Sequence, residues 1–335
     1  MKLYYNLQKG CGLIEKVKHL LKKHNITLAA HYYQKDEVFK LADLTGDSLE
    51  LAKKTASLKN PLIFCGVSFM GESAKILNPN IPVYMPKLAS CSMARMAENE
   101  LLQKNIEMLQ KENIDFIPVA YINTTAKVKS IVGSLGGVTC TSSSADKIIS
   151  KLPKDKKIFF LPDKNLGTNI AKKLGKSAKI IGEEGWQKAD IILYNGHCSV
   201  HQLFMPEHVE FFKEKYPDIK IVVHPECSPE VCEMADFVGS TSQILNYVKE
   251  HKNERMAIGT EFNFVNRMKK EINPNIYILS STKPECPSMN ETTLKELYNL
   301  LVAIDEGKPY NEIIVDENIA KNAKKALDRM MELSK

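Results

Sequence analysis

Eight cysteines punctuate this chain, at positions 11, 65, 91, 140, 198, 227, 232 and 286. Three of them occupy the same kind of place. Cys91, Cys198 and Cys286 each follow a strand-like run and sit in a turn rich in small or chain-breaking residues. The contexts are Ala89-Ser-Cys91-Ser-Met93, Asn195-Gly-His-Cys198-Ser-Val-His201 and Pro284-Glu-Cys286-Pro-Ser-Met289. An unpaired cysteine is usually a small buried hydrophobe, and Cys65 and Cys140 read that way. Cys227 and Cys232 flank Pro229 at a helix start and read as structural, and Cys11 has no partner in view. Three thiolates from separate turns suit an iron–sulfur cluster better than a structural zinc. Clusters usually take four cysteines, so three would leave one iron with an exchangeable position, able to act as a Lewis acid. Zinc stays open through Cys198-x-x-His201, whose spacing is ligand-like. No second short-range pair completes a tetrahedral site.

The elements that must carry these cysteines alternate in a regular way. Short β-branched and aromatic runs separated by helical stretches predict parallel βαβ units. Three first strands end in ring-bearing polar residues, at Ala29-Ala-His31-Tyr-Tyr33, Val119-Ala-Tyr121-Ile-Asn123 and Val222-Val-His224-Pro-Glu226. Each is followed by a hydroxyl cluster, Thr45-Gly-Asp-Ser48, Thr141-Ser-Ser-Ser144 and Gly239-Ser-Thr-Ser242. A third strand then runs into a glycine-containing turn, and one cysteine closes each block, 60, 77 and 62 residues after its opening His or Tyr. Such a recurrence marks a repeated supersecondary unit. Its polar residues all fall at carboxyl ends of strands, where open α/β sheets bind ligands.

Composition is compatible with this reading. At 335 residues, 44% hydrophobic and 26% charged, the chain can bury a sizeable core and is neither a disulfide scaffold nor a disordered polymer. A net charge of +6, scattered in short lysine runs, suits small anionic substrates and is too weak to argue for nucleic acid. No apolar stretch approaches a membrane span and no secretory signal is visible, so the expected location is the cytoplasm, with reduced thiols.

At this point the motifs resemble the quinolinate synthase family. They include His31-Tyr-Tyr33, Leu44-Thr-Gly-Asp-Ser48, Phe64-Cys-Gly-Val-Ser-Phe-Met70, Tyr121-Ile-Asn123 and Cys140-Thr-Ser142. They continue through Leu161-Pro-Asp-Lys-Asn-Leu-Gly167, Gly196-His-Cys198, His224-Pro-Glu226, Gly239-Ser240-Thr241, Ile258-Gly-Thr-Glu261 and Cys286-Pro-Ser-Met289. The resemblance implies an α/β fold of three similar α/β/α sandwich domains with short parallel sheets, in a pseudo-threefold arrangement around a central cluster. The domains would be 1–91 with 288–335, 92–199, and 200–287. It implies a [4Fe–4S] cluster on Cys91, Cys198 and Cys286, its fourth iron open to substrate. The implied reaction, a step of NAD biosynthesis, joins iminoaspartate to dihydroxyacetone phosphate, releasing phosphate and two waters to give quinolinate. An upstream enzyme producing iminoaspartate is the implied partner. Where some members carry a Cys-x-x-Cys-x-x-Cys run at the third ligand, this chain has Met289 and Thr292, so no thiol–disulfide switch is available there. The segment 127–140 is longer than the family leads one to expect.

Roles follow from that resemblance. Tyr33, Tyr121, His224 and Glu226 are the expected acids and bases. His31, Ser48, Asn123, Ser142, Ser240 and Thr241 are the expected substrate contacts, the hydroxyls standing where strands give way to helices, an anion-binding position. His201 reads as a hydrogen-bond donor beside the second ligand cysteine. Met70 and Met289 read as apolar walls, Glu261 as a domain-interface carboxylate, and Tyr4, Tyr5 and Tyr32 as structural.

Overall fold

The computed structural model describes residues 12–98 and 100–335 in full and residues 2–11 by their backbone. The side chains of Tyr4, Tyr5 and Cys11 therefore lie outside the described residues. The chain forms three separate parallel sheets, each flanked by helices, which makes it the α/β protein that the alternation predicted. It divides into two compact units, Met1–Ser90 with Pro287–Val315, and Cys91–Cys286 with Asp316–Lys335.

The first unit holds β1 (Thr27–His31), β2 (Leu44–Gly46), β3 (Leu62–Cys65) and β4 (Val83–Tyr84), in the order β2-β1-β3-β4. Its strands are short and continuously apolar because helices cover the sheet. On one side Val17, Leu20 and Leu21 of the helix Lys2–Lys23 and Leu297, Leu300 and Leu301 of the helix Leu294–Asp305 pack with Leu28, Ala30, Ile63 and Cys65. Cys65 is thus core, as expected. Two elements escaped the pattern. β2 has only three residues and no alternation to see, yet it pairs with β1 through His31↔Gly46. The stretch read as a glycine-containing turn begins the helix Ser68–Leu77 at its third residue. Gly71 sits inside this helix because a Cβ there would lie 2.6 Å from the Met85 sulfur.

The second unit carries two sheets. One contains β5 (Phe116–Tyr121), β6 (Val138–Cys140), β7 (Lys157–Leu161), β8 (Ala178–Ile180) and β9 (Ile191–Leu193), ordered β6-β5-β7-β9-β8. The other contains β10 (Lys220–Val223), β11 (Phe237–Val238), β12 (Met256–Gly259) and β13 (Ile276–Ile278), ordered β11-β10-β12-β13. All three sheets place their first strand between the second and third, so the repeat read from strand ends is a repeat of topology. The middle sheet adds one edge strand, β8. Two helices lead into β5, Ser92–Ala97 and Glu100–Lys111, and the Tyr194 hydroxyl donates to the Met96 carbonyl near the end of the first.

The last helix corrects the expected assignment of 288–335 to the first block. Glu317–Leu333 packs on the helix Ala126–Ser134 and on β6 of the middle sheet. Small residues decide this. Ala323, Ala326, Leu327 and Met330 form its buried face, and Thr139 donates through its hydroxyl to the Ala326 carbonyl at 3.0 Å. Gly133 lets the two helices approach so closely that a Cβ there would stand 2.0 Å from the Asn322 carbonyl oxygen. The long segment 127–140 is therefore this helix and β6, the docking face for the chain's end.

One substitution should act with opposite sign at two glycines. Gly133→Ala forces the helices apart and should cost on the order of 1–3 kcal/mol. Gly12→Ala, in open space on a helix, should be neutral or stabilising by up to about 1 kcal/mol. Thermal or urea denaturation of the two variants beside the parent measures both; equal effects would mean that the close helix contact is not present in solution.

Candidate active site

His31 ends β1, and its Nδ1 accepts the backbone N–H of Tyr33 at 3.2 Å, with the two rings edge to face at 4.7 Å. In the second unit His224, one residue past β10, repeats the device: its Nδ1 accepts the backbone N–H of Glu226 at 3.3 Å. The residue two positions on from the histidine is the expected acid or base in both blocks. An accepting Nδ1 places the proton of a neutral imidazole on Nε2, so both rings have a fixed tautomer. In the middle block Tyr121 takes the histidine's place at the end of β5.

Glu226 is the centre of the second unit's polar cluster. It is 3% exposed, and its Oε2 lies 2.8 Å from Nδ1 of His201, which is equally buried. The contact is a close ion pair rather than an aligned hydrogen bond. His224 stacks on His201 with ring centroids 4.6 Å apart, and Tyr121 donates to the carboxylate. Burial pushes this carboxyl up, but the two imidazoles and the bond from Tyr121 outweigh it and hold Glu226 at about 2. It is a buried carboxylate kept ionised by its neighbours. Nε2 of His201 meets the Thr260 hydroxyl at 3.1 Å, so both ring nitrogens are engaged.

One of the three singled-out cysteines joins this cluster directly, and a second, Cys91, feels the Glu226 charge. One ligand atom from each of Cys198, His201 and Glu226 falls within 4.8 Å of the others. Backbone N–H groups of Met93 and Ala94 point at the Cys91 sulfur, and that of His201 at the Cys198 sulfur. Burial, with the Glu226 charge nearby, nevertheless keeps both thiols protonated in the absence of metal. Cys286 lies at the start of the short helix Pro287–Asn290 and presents its backbone N–H to Glu261 at 3.5 Å. Cys91, Cys198 and Cys286 are each part-exposed, whereas Cys65, Cys140 and Cys227 are completely buried. This donor set fits a thiolate-ligated cluster, because amide groups aimed at sulfur stabilise the deprotonated ligand and metal binding would displace the protons. Cys198, His201 and Glu226 alone would give a zinc three protein ligands of mixed type, whereas the three turn cysteines offer thiolates throughout.

The expected substrate contacts divide between caps and cavity walls. Ser48 is the first residue of the helix Ser48–Thr55, whose N-cap is Asp47, bonded to Leu49 N and Glu50 N at 3.0 Å each. Ser240 is itself the N-cap of Thr241–Glu250, buried with Thr241, and its hydroxyl accepts from Gln243 N at 3.4 Å. Ser142 lies in the turn after β6 and lines a cavity of about 320 Å³ with Ser143, Asn169, Cys232, Gly239 and Gln243. Asn123 keeps its Oδ1 without a hydrogen-bond partner among the described residues. Buried polar atoms are normally paired, so this acceptor is a ready ligand contact.

Sequence reasoning passed over the residues that hold the site together. Asn165 and Asn169, one helical turn apart on Lys164–Lys173, grip the Glu226 loop. Asn165 donates to the Glu226 carbonyl at 3.3 Å, and Asn169 to those of Pro225 and Cys227 at 2.8 and 3.0 Å. Lys129 is fully buried and donates to the Ile122 carbonyl at 2.8 Å and to that of Thr124, fixing the loop that bears Asn123. Asp163 is fully buried too; burial and the Glu226 charge push its carboxyl well up. Glu261, read as an interface carboxylate, is raised to about 8 by burial against N–H groups of Phe264, Cys286 and Asn263. The i, i+4 spacing of the two asparagines was the available signal.

The ionised Glu226 makes a pH prediction. A carboxyl depressed from 4.5 to about 2 stabilises the fold above its ordinary value and loses that contribution as pH falls through 2. The contribution at neutral pH is roughly 3 kcal/mol. Melting of cluster-free protein should therefore show Glu226→Gln below the parent at pH 7, with the gap narrowing steadily between about pH 5 and 3. A constant gap across that range would mean that the carboxylate is not ionised in the fold.

Comparison with known proteins adds the family. The model of the family described as quinolinate synthetase A protein matches residues 15–332. A quinolinate synthase of Helicobacter pylori is 50% identical over 323 residues, covering 94% of this chain and 96% of that one. One from Lysinibacillus sphaericus is 39% identical, covering 91% and 88% of the two chains. One from Listeria monocytogenes is 41% identical, covering 92% and 90%. With the family model matching residues 15–332 and relatives 39–50% identical over most of both chains, the chain belongs to the quinolinate synthetase A family.

Proposed function

We propose that this protein is a quinolinate synthase of NAD biosynthesis, condensing iminoaspartate with dihydroxyacetone phosphate to quinolinate, phosphate and two waters. The observation that carries the reading is a buried, ionised Glu226 held by His201, His224 and Tyr121 beside Cys198 and Cys91, on a chain of this family. We place a [4Fe–4S] cluster on Cys91, Cys198 and Cys286. When bound, it would supply a Lewis-acidic iron that polarises a substrate oxygen. We retain the division into three domains, with 316–335 moved to the second. The cytoplasm suits such a protein, since it keeps the thiols reduced.

The side chains supply the rest of the chemistry. Both substrates are anions, and Ser240 and Thr241, at the start of a ten-residue helix, and Ser48, at the start of another, offer hydroxyls and amide N–H groups to phosphate or carboxylate. Asn123 orients a substrate donor through its open Oδ1. Phosphate elimination, enol-to-keto transfer, carbon–carbon bond formation and the dehydrations all move protons. Tyr121 can hand its hydroxyl proton to the Glu226 carboxylate, to which it is bonded, as its phenol oxygen takes one from substrate. His224, with Nδ1 already accepting from Glu226 N, works through Nε2. His31 and Tyr33 form the corresponding pair of the first unit. No helix among the described residues is long and apolar enough to cross a membrane.

Anaerobic purification with iron and sulfide tests the cluster. A brown protein is expected whose iron is lost in Cys91→Ala, Cys198→Ala and Cys286→Ala. Cys65→Ala and Cys140→Ala, both fully buried, should keep iron and lose only packing stability, on the order of 1–2 kcal/mol. A colourless protein with one zinc per chain would sink the cluster. For the chemistry, Glu226→Gln and Tyr121→Phe should stay brown and folded while quinolinate output falls by ~10²–10⁴. Near-parental output from both would remove them from the mechanism.

A further inference from the structure

Two buried carboxyls, Asp163 and Glu261, stand in equivalent positions that the chemistry above does not use. Each lies two residues past a third strand, β7 or β12, and each is the N-cap of a ten-residue helix. Asp163 accepts from Leu166 N at 2.7 Å and Glu261 from Phe264 N at 3.2 Å, the same third-residue N–H in both helices. Both residues are 0% exposed. Helix capping alone does not need a buried acid. Thr125, Ser228, Ser240 and Thr293 cap their helices here with hydroxyls.

A carboxyl has a second oxygen: in Glu261 it bonds the loop of a cysteine, and in Asp163 this oxygen, Oδ2, is buried without a hydrogen-bond partner among the described residues. Oε2 of Glu261 caps the helix, while Oε1 takes the Asn263 side-chain N–H at 3.2 Å and the Cys286 backbone N–H at 3.5 Å. The Cys286 loop is tied to the same helix start by Phe262 N donating to the Pro284 carbonyl at 2.9 Å. Around Asp163 the backbone ties between helix start and cysteine loop recur. Lys164 N donates to the Gly196 carbonyl at 2.9 Å, Gly196 N to the Pro162 carbonyl at 3.0 Å, and the Cys198 backbone N–H is directed at the Asp163 carboxyl.

From this repeated geometry we infer that Asp163 and Glu261 are positioning residues for Cys198 and Cys286, each coupling a ligand cysteine's backbone to the helix that leaves the third strand of its own block. The inference rests on the cluster reading above. The carboxyl fixes where the sulfur stands by holding the peptide behind it, so the ligand geometry is set by the sheet rather than by a free loop.

Variants of Glu261 separate capping from positioning. Glu261→Gln keeps the length but only one of the two acceptor oxygens, so it can cap the helix or hold Cys286 but not both, and should fall between the parent and the short variants. Glu261→Ser and Glu261→Asp can still cap the helix but are too short to reach Cys286. Both should melt near the parent in the cluster-free form, yet release iron to a chelator about 10-fold faster, with an altered electron paramagnetic resonance spectrum of the reduced cluster. Asp163→Ser should do the same in the other block, and serves if the Glu261 variants fail to fold. Parental iron release and spectrum in the short variants would overturn the inference and leave capping as the whole role. A parent that takes up no iron fails the cluster reading instead, a result visible before any variant is made.

Discussion

Everything around the candidate site answers to one constraint: a carboxylate, Glu226, is buried and charged. Removing a charge from water is expensive, and an unpaired one would neutralise or unfold the site. Here two imidazoles and a phenol surround it. That compensation explains why His201 and His224 stack beside it, and the same burial, with the Glu226 charge, pushes the Asp163 carboxyl well up.

Such a cluster needs loops that do not drift, and the three sheets supply them in the same way each time. The first strand lies in the middle of its sheet and delivers a ring-bearing residue at its carboxyl end. The third strand delivers a helix whose first turn grips the neighbouring loops. In the middle block Asn165 and Asn169 reach across to the Glu226 loop, so one helix supports the carboxylate through its side chains and Cys198 through its N-cap. Rigid support of this kind keeps reacting groups within a fraction of an ångström, which catalysis requires.

Much of this was legible in the residues themselves. Strands such as Thr27–His31, Lys157–Leu161 and Met256–Gly259 announce themselves by dense β-branched and aromatic runs between breakers. The repeat shows at strand ends because turn chemistry and polar residues must recur wherever a parallel sheet presents its carboxyl edge. Cysteine context separated Cys65 and Cys140, inside apolar runs, from the three in turns. Local chemistry is written locally, so type and order of elements, the cysteine sorting and the family motifs could be read directly.

Only the tertiary structure decided the rest, because it depends on contacts between residues far apart in the chain. The packing of Glu317–Leu333 on Ala126–Ser134 rests on small residues some 190 positions apart, Gly133 facing Asn322 and Thr139 facing Ala326, and neither helix alone reveals its partner. Glu226 is an ordinary acid in sequence; His201, 25 residues earlier, and Tyr121, 105 earlier, make it a strong one. Asp163 and Glu261 look like plain N-caps until the cysteine backbones arrive over them. Electrostatics and close approach are properties of neighbours in space, and those neighbours exist only once the chain has folded.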